Sequence, residues 1–338
     1  MKIAIHNGSG WNQKWIKYCE GKNINFIVVN CYDNNIIVTL KEKKATHLMW
    51  YFHHNLPADI LMARNVLYAA EKMGLKTFPN FDTSWHFDDK VAQKYLLEGV
   101  DAQMVPSYVF YNEKMANVWL RDEASFPLIA KLRRGAGSYN VILLKNLGEA
   151  KRYTAKMFGK GIHPSPGYIS DVKNKLKVAK NWTGIKKRLK KAPNYFKMVF
   201  KGKKGFPREK GYVYFQDFIK DNKSDLRVAI VGDYIWAFKR IVREGDFRAS
   251  GSGVIAYTNL NLSINIVKDL HILSKKMKSQ SIAFDVIFDV EKYLIVEISY
   301  GYSSEAIFDC PGYWNSNYVF VSKKLYPEIV IIENIINN

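Results

Sequence analysis

Cysteine is scarce in this sequence. Only three occur in 338 residues, Cys19, Cys31 and Cys310, and their spacing matches neither a disulfide framework nor a metal site. This scarcity excludes the disulfide-rich secreted classes and fits a reducing compartment. Long apolar runs are also lacking, since none approaches the roughly 20 residues that a membrane span requires. Residues 1–5 read as a strand rather than a signal peptide, so we expect a cytoplasmic protein without a transmembrane segment.

Two familiar nucleotide-binding fingerprints are incomplete. Residues 7–10 (Asn-Gly-Ser-Gly) follow the first predicted strand, but the rest of the dinucleotide-binding pattern is missing. We therefore prefer a plain strand-to-helix turn there. Residues 135–138 (Gly-Ala-Gly-Ser) lack the Gly-Lys-Ser/Thr that closes a Walker loop. The sequence thus predicts neither a standard dinucleotide site nor a P-loop.

Acidic residues are too few to balance the basic ones. The 51 Lys and Arg against 31 Asp and Glu give a formal charge of +20, which indicates attraction to a polyanion. Residues 151–210 carry much of this excess, with almost no acidic residues and with interleaved aromatic ones. A solvated insertion, a membrane-surface element and a cradle for an anionic polymer all stay open for this basic block. Nothing in it matches a nucleic-acid-binding module, so nucleic acid is the least favoured partner.

Core-forming residues, by contrast, are plentiful. The chain is 48% hydrophobic and 14% aromatic, which is enough for two or three compact lobes. Residues 1–80 alternate short β-type runs with helical spacing and predict a small doubly wound α/β domain. His53 and His54 follow its third predicted strand, where such sheets place ligand groups. Solvent-exposed loop histidines are the alternative interpretation.

Residues 282–301 are the most informative stretch. Two β-branched apolar runs flank a short polar segment and predict a hairpin of largely buried strands. If residues 290–292 form a three-residue turn, Asp285 lies opposite Glu297, with β-carbons about 5 Å apart. Ser299 then shares the face of Glu297. Burying these groups requires a cation or a protonated acid, and their oxygens suit Mg²⁺; an edge-strand Asp285 with a solvent-facing Glu297 is the alternative.

Cations and small residues precede this hairpin. A helix predicted over 87–99 carries Lys90 near its start, and a strand predicted over 126–131 ends in Lys131 ahead of residues 135–138. Small residues allow backbone amides to approach phosphate oxygens, and a lysine adds a point charge. Arginines at the ends of later strands are suited to neutralising phosphoryl oxygens, although a surface ion pair is the commoner role of a single arginine. The later strands are predicted over 212–219, 224–232 and 234–241, and the last two carry arginines.

Several short segments form an ordered series along the chain. They are Asp89-Lys90, Lys131 with Gly135-Ala136-Gly137-Ser138, Gln216-Asp217-Phe218-Ile219, Asp225-Leu226-Arg227, Gly245-Asp246-Phe247-Arg248, and Asp285 with Glu297 and Ser299. In this order they resemble the ATP-grasp superfamily of carboxylate–amine ligases. The likeness is greatest to the ribosomal-protein glutamate-adding ligases and to ATP-grasp proteins of surface polysaccharide synthesis. It covers residues 80–310, and no single motif is specific: the order of the motifs and the Asp-to-Glu spacing carry it.

The resemblance implies a reaction, two cofactors and a set of site residues. A carboxylate is phosphorylated to an acyl phosphate, an amine attacks it, and phosphate is released as an amide forms. ATP and Mg²⁺ are the implied cofactors. The implied roles are phosphate contacts from Lys90, Lys131, Gly135, Gly137 and Ser138; adenine contacts from Gln216, Asp217, Phe218 and Ile219; a ribose contact from Asp225; contacts to the γ-phosphoryl group and the carboxylate from Arg227, Arg240 and Arg248; and metal coordination by Asp285, Glu297 and Ser299.

Three features depart from the family pattern. Ser299 stands where the family has an asparagine, and this shorter, neutral ligand weakens one metal position. Ala249 and Ser250 stand where a second asparagine is usual. The basic block 151–210 is larger than the compact lobe of the family, so we interpret it as an insertion specific to a subgroup.

We therefore expect an α/β fold, in which an ATP-grasp unit follows a small Rossmann-like domain. The predicted divisions are a pre-ATP-grasp domain over 1–85, an amino-terminal lobe over 86–215 with the basic insertion 151–210, and a carboxy-terminal lobe over 216–338 with the metal hairpin. Replacing either hairpin acid, as in Asp285→Asn or Glu297→Gln, is expected to abolish turnover and leave the fold intact.

The predicted function is an ATP-dependent, ADP-forming ligase that joins a carboxylate to an amine. A uronic acid of a surface glycan or its precursor is the favoured carboxylate, with an amino-acid or peptide ligase as the runner-up. A kinase on the same scaffold and a nucleotide-binding protein without turnover are the alternatives from other classes. Contact of the basic block with an acidic glycan, or with anionic lipid at the inner membrane face, stays open.

Overall fold

The computed structural model describes residues 1–135, 140–164, 206–242, 253–260, 262–290 and 292–337. The predicted site residues Gly137, Ser138 and Arg248 lie outside these ranges, as does the part of the basic block between 165 and 205. The mixed α/β architecture that the sequence predicts is confirmed. Among the described helices, none combines the length and the apolar character that crossing a bilayer requires.

The amino-terminal part alternates strands and helices: β1 (Ile3–His6), α1 (Trp11–Gly21), β2 (Phe26–Val29), α2 (Ile36–Glu42), β3 (His47–Met49), α3 (Pro57–Lys72) and β4 (Lys76–Phe78). The four strands form a parallel sheet, the first sheet, in the order β2-β1-β3-β4. Helix α3 begins with Pro57, whose fixed φ suits a first helical position. It ends at Lys72, and Gly74, which follows the C-cap Met73, has a φ of 86° that suits a helix end.

Two helices connect the first sheet to the second, α4 (Phe81–Ser84) and α5 (Lys90–Gly99). Helix α5 is shorter than the predicted segment 87–99. Asp88 has a positive φ of 54° and lies outside the helix. Asp89 is the N-cap, because its side chain accepts the backbone N–H of Ala92. Lys90 is therefore the first helical residue, and its backbone N–H donates to the carbonyl of Arg133.

The second sheet is antiparallel. Its elements are β5 (Ser107–Phe110), α6 (Glu113–Asp122), β6 (Leu128–Lys131), β7 (Val141–Leu144), α7 (Leu147–Phe158) and β8 (Val213–Asp217), and the strand order is β5-β8-β6-β7. Asn112 and Asn146 cap α6 and α7. The strands bury one apolar face, with Trp119 stacked on Phe215. Lys131, the last residue of β6, lies at the edge of this core.

The third sheet is the largest. Its region contains β9 (Ser224–Val231), β10 (Tyr234–Ile241), β11 (Ile255–Ala256), α8 (Ile264–Lys276), β12 (Ser281–Asp289), β13 (Lys292–Ser299), α9 (Ser304–Phe308), β14 (Tyr313–Trp314), β15 (Phe320–Val321) and α10 (Pro327–Asn337). The strand order is β13-β12-β9-β10-β14-β15, with β11 on β10. Helix α10 packs on α1, where Trp15 Nε1 donates to the carbonyl of Glu328 at 3.0 Å. The first and third sheets thus share one apolar core.

The hairpin of β12 and β13 has the predicted register at Asp285, but its turn differs from the predicted one. Asp289 pairs with Lys292, so the strands are connected by residues 290 and 291 and the predicted three-residue turn is wrong. A bulge at Val296 then shifts the register by one residue. Beyond the bulge Asp285 lies opposite Glu297, as predicted. The turn is one residue shorter than predicted and the bulge adds one residue to β13, so the pairing of Asp285 with Glu297 is the same as predicted.

Candidate active site

Four charged side chains meet on neighbouring strands of the third sheet. Asp225 and Arg227 lie on one face of β9 because they are two residues apart. Arg227 is in register with Asp285, and Asp225 with Arg240. Arg227 donates to Asp285 from Nε at 2.7 Å and from Nη2 at 2.9 Å, and Arg240 Nη2 lies 2.7 Å from the same carboxylate. Arg240 also donates to both oxygens of Asp225.

Asp285 and Arg240 both stay charged at neutral pH. Burial disfavours the ionised form of Asp285, but Arg227 and Arg240 outweigh it and hold the pKa of that carboxyl well below its usual range. Burial also opposes the charge of Arg240, yet the carboxylates of Asp285 and Asp225 raise its pKa. The substrate roles of Arg227, Arg240 and Asp225 stay predictions, since these side chains here bind one another.

Glu297 has a different environment from that of Asp285. Its side chain is 28% exposed, against 9% for Asp285. Its cation is Lys90, whose Nζ lies 3.3 Å from Oε1. The repulsion expected between two facing acids is therefore relieved by protein cations, two arginines beside Asp285 and one lysine beside Glu297.

A cleft of about 120 Å³ opens between the second and third sheets. Apolar side chains such as Ile129 and Ile287 form part of its wall. Lys131 is buried there, and burial lowers its pKa to about 8 although Glu297 opposes this effect. The structure brings eight predicted site residues to this cleft: Lys131, Gln216, Asp217, Phe218, Ile219, Asp225, Asp285 and Glu297.

Asp88, just before α5, and Lys90, the first residue of α5, both contact Gly135 at the start of the small-residue segment 135–138. Gly135 N–H donates to Asp88 Oδ1 at 2.9 Å, and Lys90 Nζ donates to the Gly135 carbonyl at 2.7 Å. Gly135 has a φ of 116°, which glycine tolerates, and an added Cβ would lie 2.2 Å from Asn140 Nδ2. Burial raises the pKa of Asp88 to about 6. Lys90 and Gly135, two predicted phosphate contacts, are therefore joined directly.

A second cavity, of about 310 Å³, borders the same two acids and is called the acceptor cavity below. Arg227, His53 and His54 line it. The two histidine rings stack with centroids 4.3 Å apart. Burial lowers the pKa of both, that of His54 to about 3, so both are neutral at pH 7. Asp285 and Glu297 thus stand where two cavities meet.

The available oxygens fit Mg²⁺ at this junction. Ser299 Oγ donates to the Gly301 carbonyl at 2.8 Å and accepts the Gly301 N–H at 3.1 Å, so its hydroxyl is used within its own turn. Within the described ranges, no group of three or more His, Cys, Asp or Glu converges. Asp285 and Glu297 are the residues that would hold a divalent ion here, since Mg²⁺ commonly binds through one or two carboxylates together with substrate phosphates. Coordination by Ser299 stays a prediction.

Sequence analysis missed Asp88 and the pairing of Asp225 with Arg240. Asp88 contributes through a positive φ and a single hydrogen bond, neither of which has a periodic signal. The spacing of Asp225 and Arg227 does place both on one strand face. Their partners become visible only when the register of the adjacent strands is known.

Comparison by sequence identifies no relatives. No family model matches the chain, and no curated protein sequence matches it.

Comparison by structure identifies the fold. The biotin carboxylase domain of 2-oxoglutarate carboxylase from Hydrogenobacter thermophilus aligns over 90% of this chain with a TM-score of 0.57 and 13% identity, and this chain spans 64% of its length. D-alanine–D-alanine ligase from Bacillus anthracis aligns over 99% of this chain and 97% of its own, at a TM-score of 0.56 and 13% identity. A RimK domain ATP-grasp protein from Sphaerobacter thermophilus aligns over 88% and 90%, at 0.51 and 11%. The chain has the ATP-grasp fold.

Proposed function

We propose, from the ATP-grasp fold of this chain, that it is an ADP-forming ligase that joins a carboxylate to an amine. The observation that carries the proposal is the position of Asp285 and Glu297 between two cavities. One cavity combines apolar walls with Lys131, which suits a nucleotide. The other combines Arg227 with two neutral histidines, which suits a carboxylate and an amine.

The proposed reaction has two steps. A carboxylate oxygen of the substrate bonds to the γ-phosphorus of ATP, and ADP leaves. The amine nitrogen then bonds to the acyl carbon, and inorganic phosphate leaves with the former carboxylate oxygen while the amine releases one proton. Lys131 and Lys90 neutralise phosphate oxygens on the nucleotide side, and Arg227 orients the carboxylate on the acceptor side. Mg²⁺ held by Asp285 and Glu297 would neutralise charge on the β- and γ-phosphates.

The neighbours support this reaction class. One was solved with MgADP, ADP and bicarbonate, a small carboxylate-like anion. Another is by name a ligase of two amino acids. These ligands and activities belong to the neighbouring proteins. For this chain, the proposal rests on the cleft and the cavity described above.

The favoured carboxylate is a uronic acid of a surface glycan or its precursor. Its support is compositional: the net charge of +20 and the basic block 151–210, which suit an acidic polymer or an anionic membrane surface. A screen of uronic acids, amino acids and short peptides as acceptors, each paired with a panel of amines, tests this choice. The pair that accelerates phosphate release most identifies the substrate.

Phosphate release from ATP tests the reaction itself. A ligase releases phosphate only when both a carboxylate and an amine are present, and Glu297→Gln abolishes the release. A phosphorylated product that accumulates without an amine indicates a kinase instead. Release that persists in Glu297→Gln would contradict the assigned site.

A nucleotide-binding protein without turnover is the second candidate. It is favoured by the engagement of both Asp285 oxygens by arginines and of the Ser299 hydroxyl by Gly301. ATP binding without phosphate release across the whole acceptor screen, unchanged by Glu297→Gln, would select it.

A further inference from the structure

We propose that Arg240 occupies the position of a second divalent ion in the cleft between the second and third sheets, so that the nucleotide binds with one Mg²⁺ rather than two. The inference rests on the nucleotide-dependent function proposed above. In many sites of phosphoryl transfer, two divalent ions neutralise the charge of the phosphates. Arg240 is then a positioning residue, because it holds two carboxylates where a metal ion would otherwise hold them.

One nitrogen of Arg240 lies between two carboxylates. Its Nη2 is 2.5 Å from Asp225 Oδ2 and 2.7 Å from Asp285 Oδ2. Charge-assisted N–H···O bonds are usually about 2.7–2.9 Å long, and the oxygen ligands of Ca²⁺ lie about 2.3–2.6 Å from the ion. The two oxygens are therefore nearly as close to one shared positive group as they would be to a large divalent ion.

The register of three strands brings these groups together. Arg240 on β10 is paired with Asp225 on β9, and Asp285 on β12 lies beside Arg227, two residues farther along β9. The side chains of Asp225, Arg240 and Asp285 are only 11%, 9% and 9% exposed. Carboxylates as buried as these require a nearby cation. Arg240 supplies a cation that cannot dissociate, because it is part of the chain.

The two oxygens of Asp285 are not equally available to a metal ion. Oδ2 lies 2.9 Å from Arg227 Nη2 and 2.7 Å from Arg240 Nη2. In the described part of the chain, Oδ1 accepts a single hydrogen bond, from Arg227 Nε at 2.7 Å. A carboxylate oxygen has about two acceptor positions. Both positions on Oδ2 are therefore used, and one on Oδ1 is left for a metal ion that Glu297 would also bind.

Ligands for another ion are few in the same cleft. The Ser299 hydroxyl donates to the Gly301 carbonyl within its own turn. Among the residues that the structure describes, no three His, Cys, Asp or Glu side chains converge. A second ion would have to share Asp225 and Asp285 with the guanidinium of Arg240, and like charges at that distance repel. The cleft thus accommodates one metal ion beside one fixed cation.

Counting bound Mn²⁺ tests the proposal. The full chain, kept in excess over a non-hydrolysable ATP analogue, is titrated with Mn²⁺, and unbound Mn²⁺ is followed by electron paramagnetic resonance. We expect one Mn²⁺ for each bound nucleotide. Two Mn²⁺ of similar affinity in the wild type would overturn the proposal.

Arg240→Met removes the guanidinium and leaves Asp225 facing Oδ2 of Asp285 without a cation between them. We expect this variant to bind a second Mn²⁺ with the nucleotide. Without nucleotide, saturating Mn²⁺ should raise its melting temperature by about 3 °C or more, and that of the wild type by less than about 1 °C. One bound ion together with no thermal response in Arg240→Met would contradict the role of Arg240.

Two further variants distinguish this role from others. Arg240→Lys keeps a point charge but loses the bidentate contact, so it should keep the count at one ion if a single charge is what the position requires. Two ions in Arg240→Lys would contradict the proposal. Arg121→Met is the matched control, because Arg121 donates to both oxygens of Asp122 on the exposed surface. It should change neither the ion count nor the thermal response.

Loss of folding does not remove the test. Arg240→Met that folds only in the presence of Mn²⁺ would support the proposal, because the ion then replaces the missing cation. Should Arg240→Met not fold under either condition, the ion counts of the wild type and of Arg240→Lys decide.

The outcome is separable from that of the ligase proposal. Ions are counted without a carboxylate or an amine, whereas ligase activity is measured by phosphate release. One Mn²⁺ per nucleotide in a chain that never releases phosphate would support the role of Arg240 and reject the ligase function. If the analogue does not bind, nucleotide-dependent function is rejected, and the thermal response of Arg240→Met to Mn²⁺ alone still decides the role of Arg240.

Discussion

Asp285 and Glu297 face each other across one hairpin but occupy opposite environments. Asp285 is held by two arginines and is almost fully buried, whereas Glu297 is partly exposed and forms an ion pair with Lys90. Identical charges at one register position therefore serve different purposes. We infer that Asp285 anchors the cationic network that shapes the site, and that Glu297 is the acid more available to a metal ion.

The largest effect is expected from Asp285→Asn. Breaking a buried ion pair by removing one partner leaves an uncompensated charge, here on Arg227, and typically costs about 3–5 kcal/mol. We therefore expect both lost turnover and a fall of about 3 kcal/mol in the free energy of unfolding, measured by chemical denaturation. The sequence alone predicted an intact fold for this variant, and the register with Arg227 changes that expectation. Asp233→Asn, which removes an exposed partner of Lys275, is the control and should cost less than about 1 kcal/mol.

Glu297→Gln tests whether Glu297 and Asp285 have different roles. We expect turnover to fall at least about 100-fold, because one metal-binding charge is lost. The free energy of unfolding should fall by less than in Asp285→Asn, since Glu297 is partly exposed and pairs with one lysine rather than with two arginines. Phosphate release and denaturation measured on the same preparation test both statements. Equal destabilisation by Glu297→Gln and Asp285→Asn would remove the distinction between the acids.

Loss of the proton from Lys131 should make ATP binding depend on pH. Its pKa is lowered from 10.5 to about 8, so its positive charge is present below pH 8 and is lost as the pH rises through that value. The KM for ATP should therefore rise between about pH 7.5 and 9. Lys131→Arg keeps its charge throughout this range and should flatten the profile. A wild-type KM that is constant across pH 8 would show that Lys131 does not bind the phosphates.

The smallest effect is expected from Asp88→Ala. This change removes one hydrogen bond to Gly135, worth about 1 kcal/mol, so the KM for ATP should rise about fivefold while kcat changes less. Asp122→Asn, on the exposed surface of α6, is the control and should leave both parameters unchanged. An effect on kcat alone would argue against a positioning role in nucleotide binding.

Much of the site could be predicted from local pattern. Strand periodicity and motif order mark the hairpin acids, Lys131 at a strand end and residues 216–219, the predicted adenine contacts, and the structure brings all of them to one cleft. The turn of the hairpin could not be predicted, because a two-residue turn with a bulge and a three-residue turn give the same register at Asp285. The cavity at the carboxyl edge of the first sheet could not be predicted either, since its lining residues come from three segments that are distant in sequence.

The sequence by itself determined the alternation of strands and helices, the charge of the chain and the order of the chemical groups, because these depend on residues that are neighbours along the chain. Only the tertiary structure decided which cation neutralises which acid. That choice depends on the register between strands up to 60 residues apart, such as Arg227 of β9 and Asp285 of β12. A shift of one residue turns a side chain to the other face of a sheet. Strand pairing, not composition, therefore makes Asp285 the anchor of the cationic network and leaves Glu297 available to a metal ion.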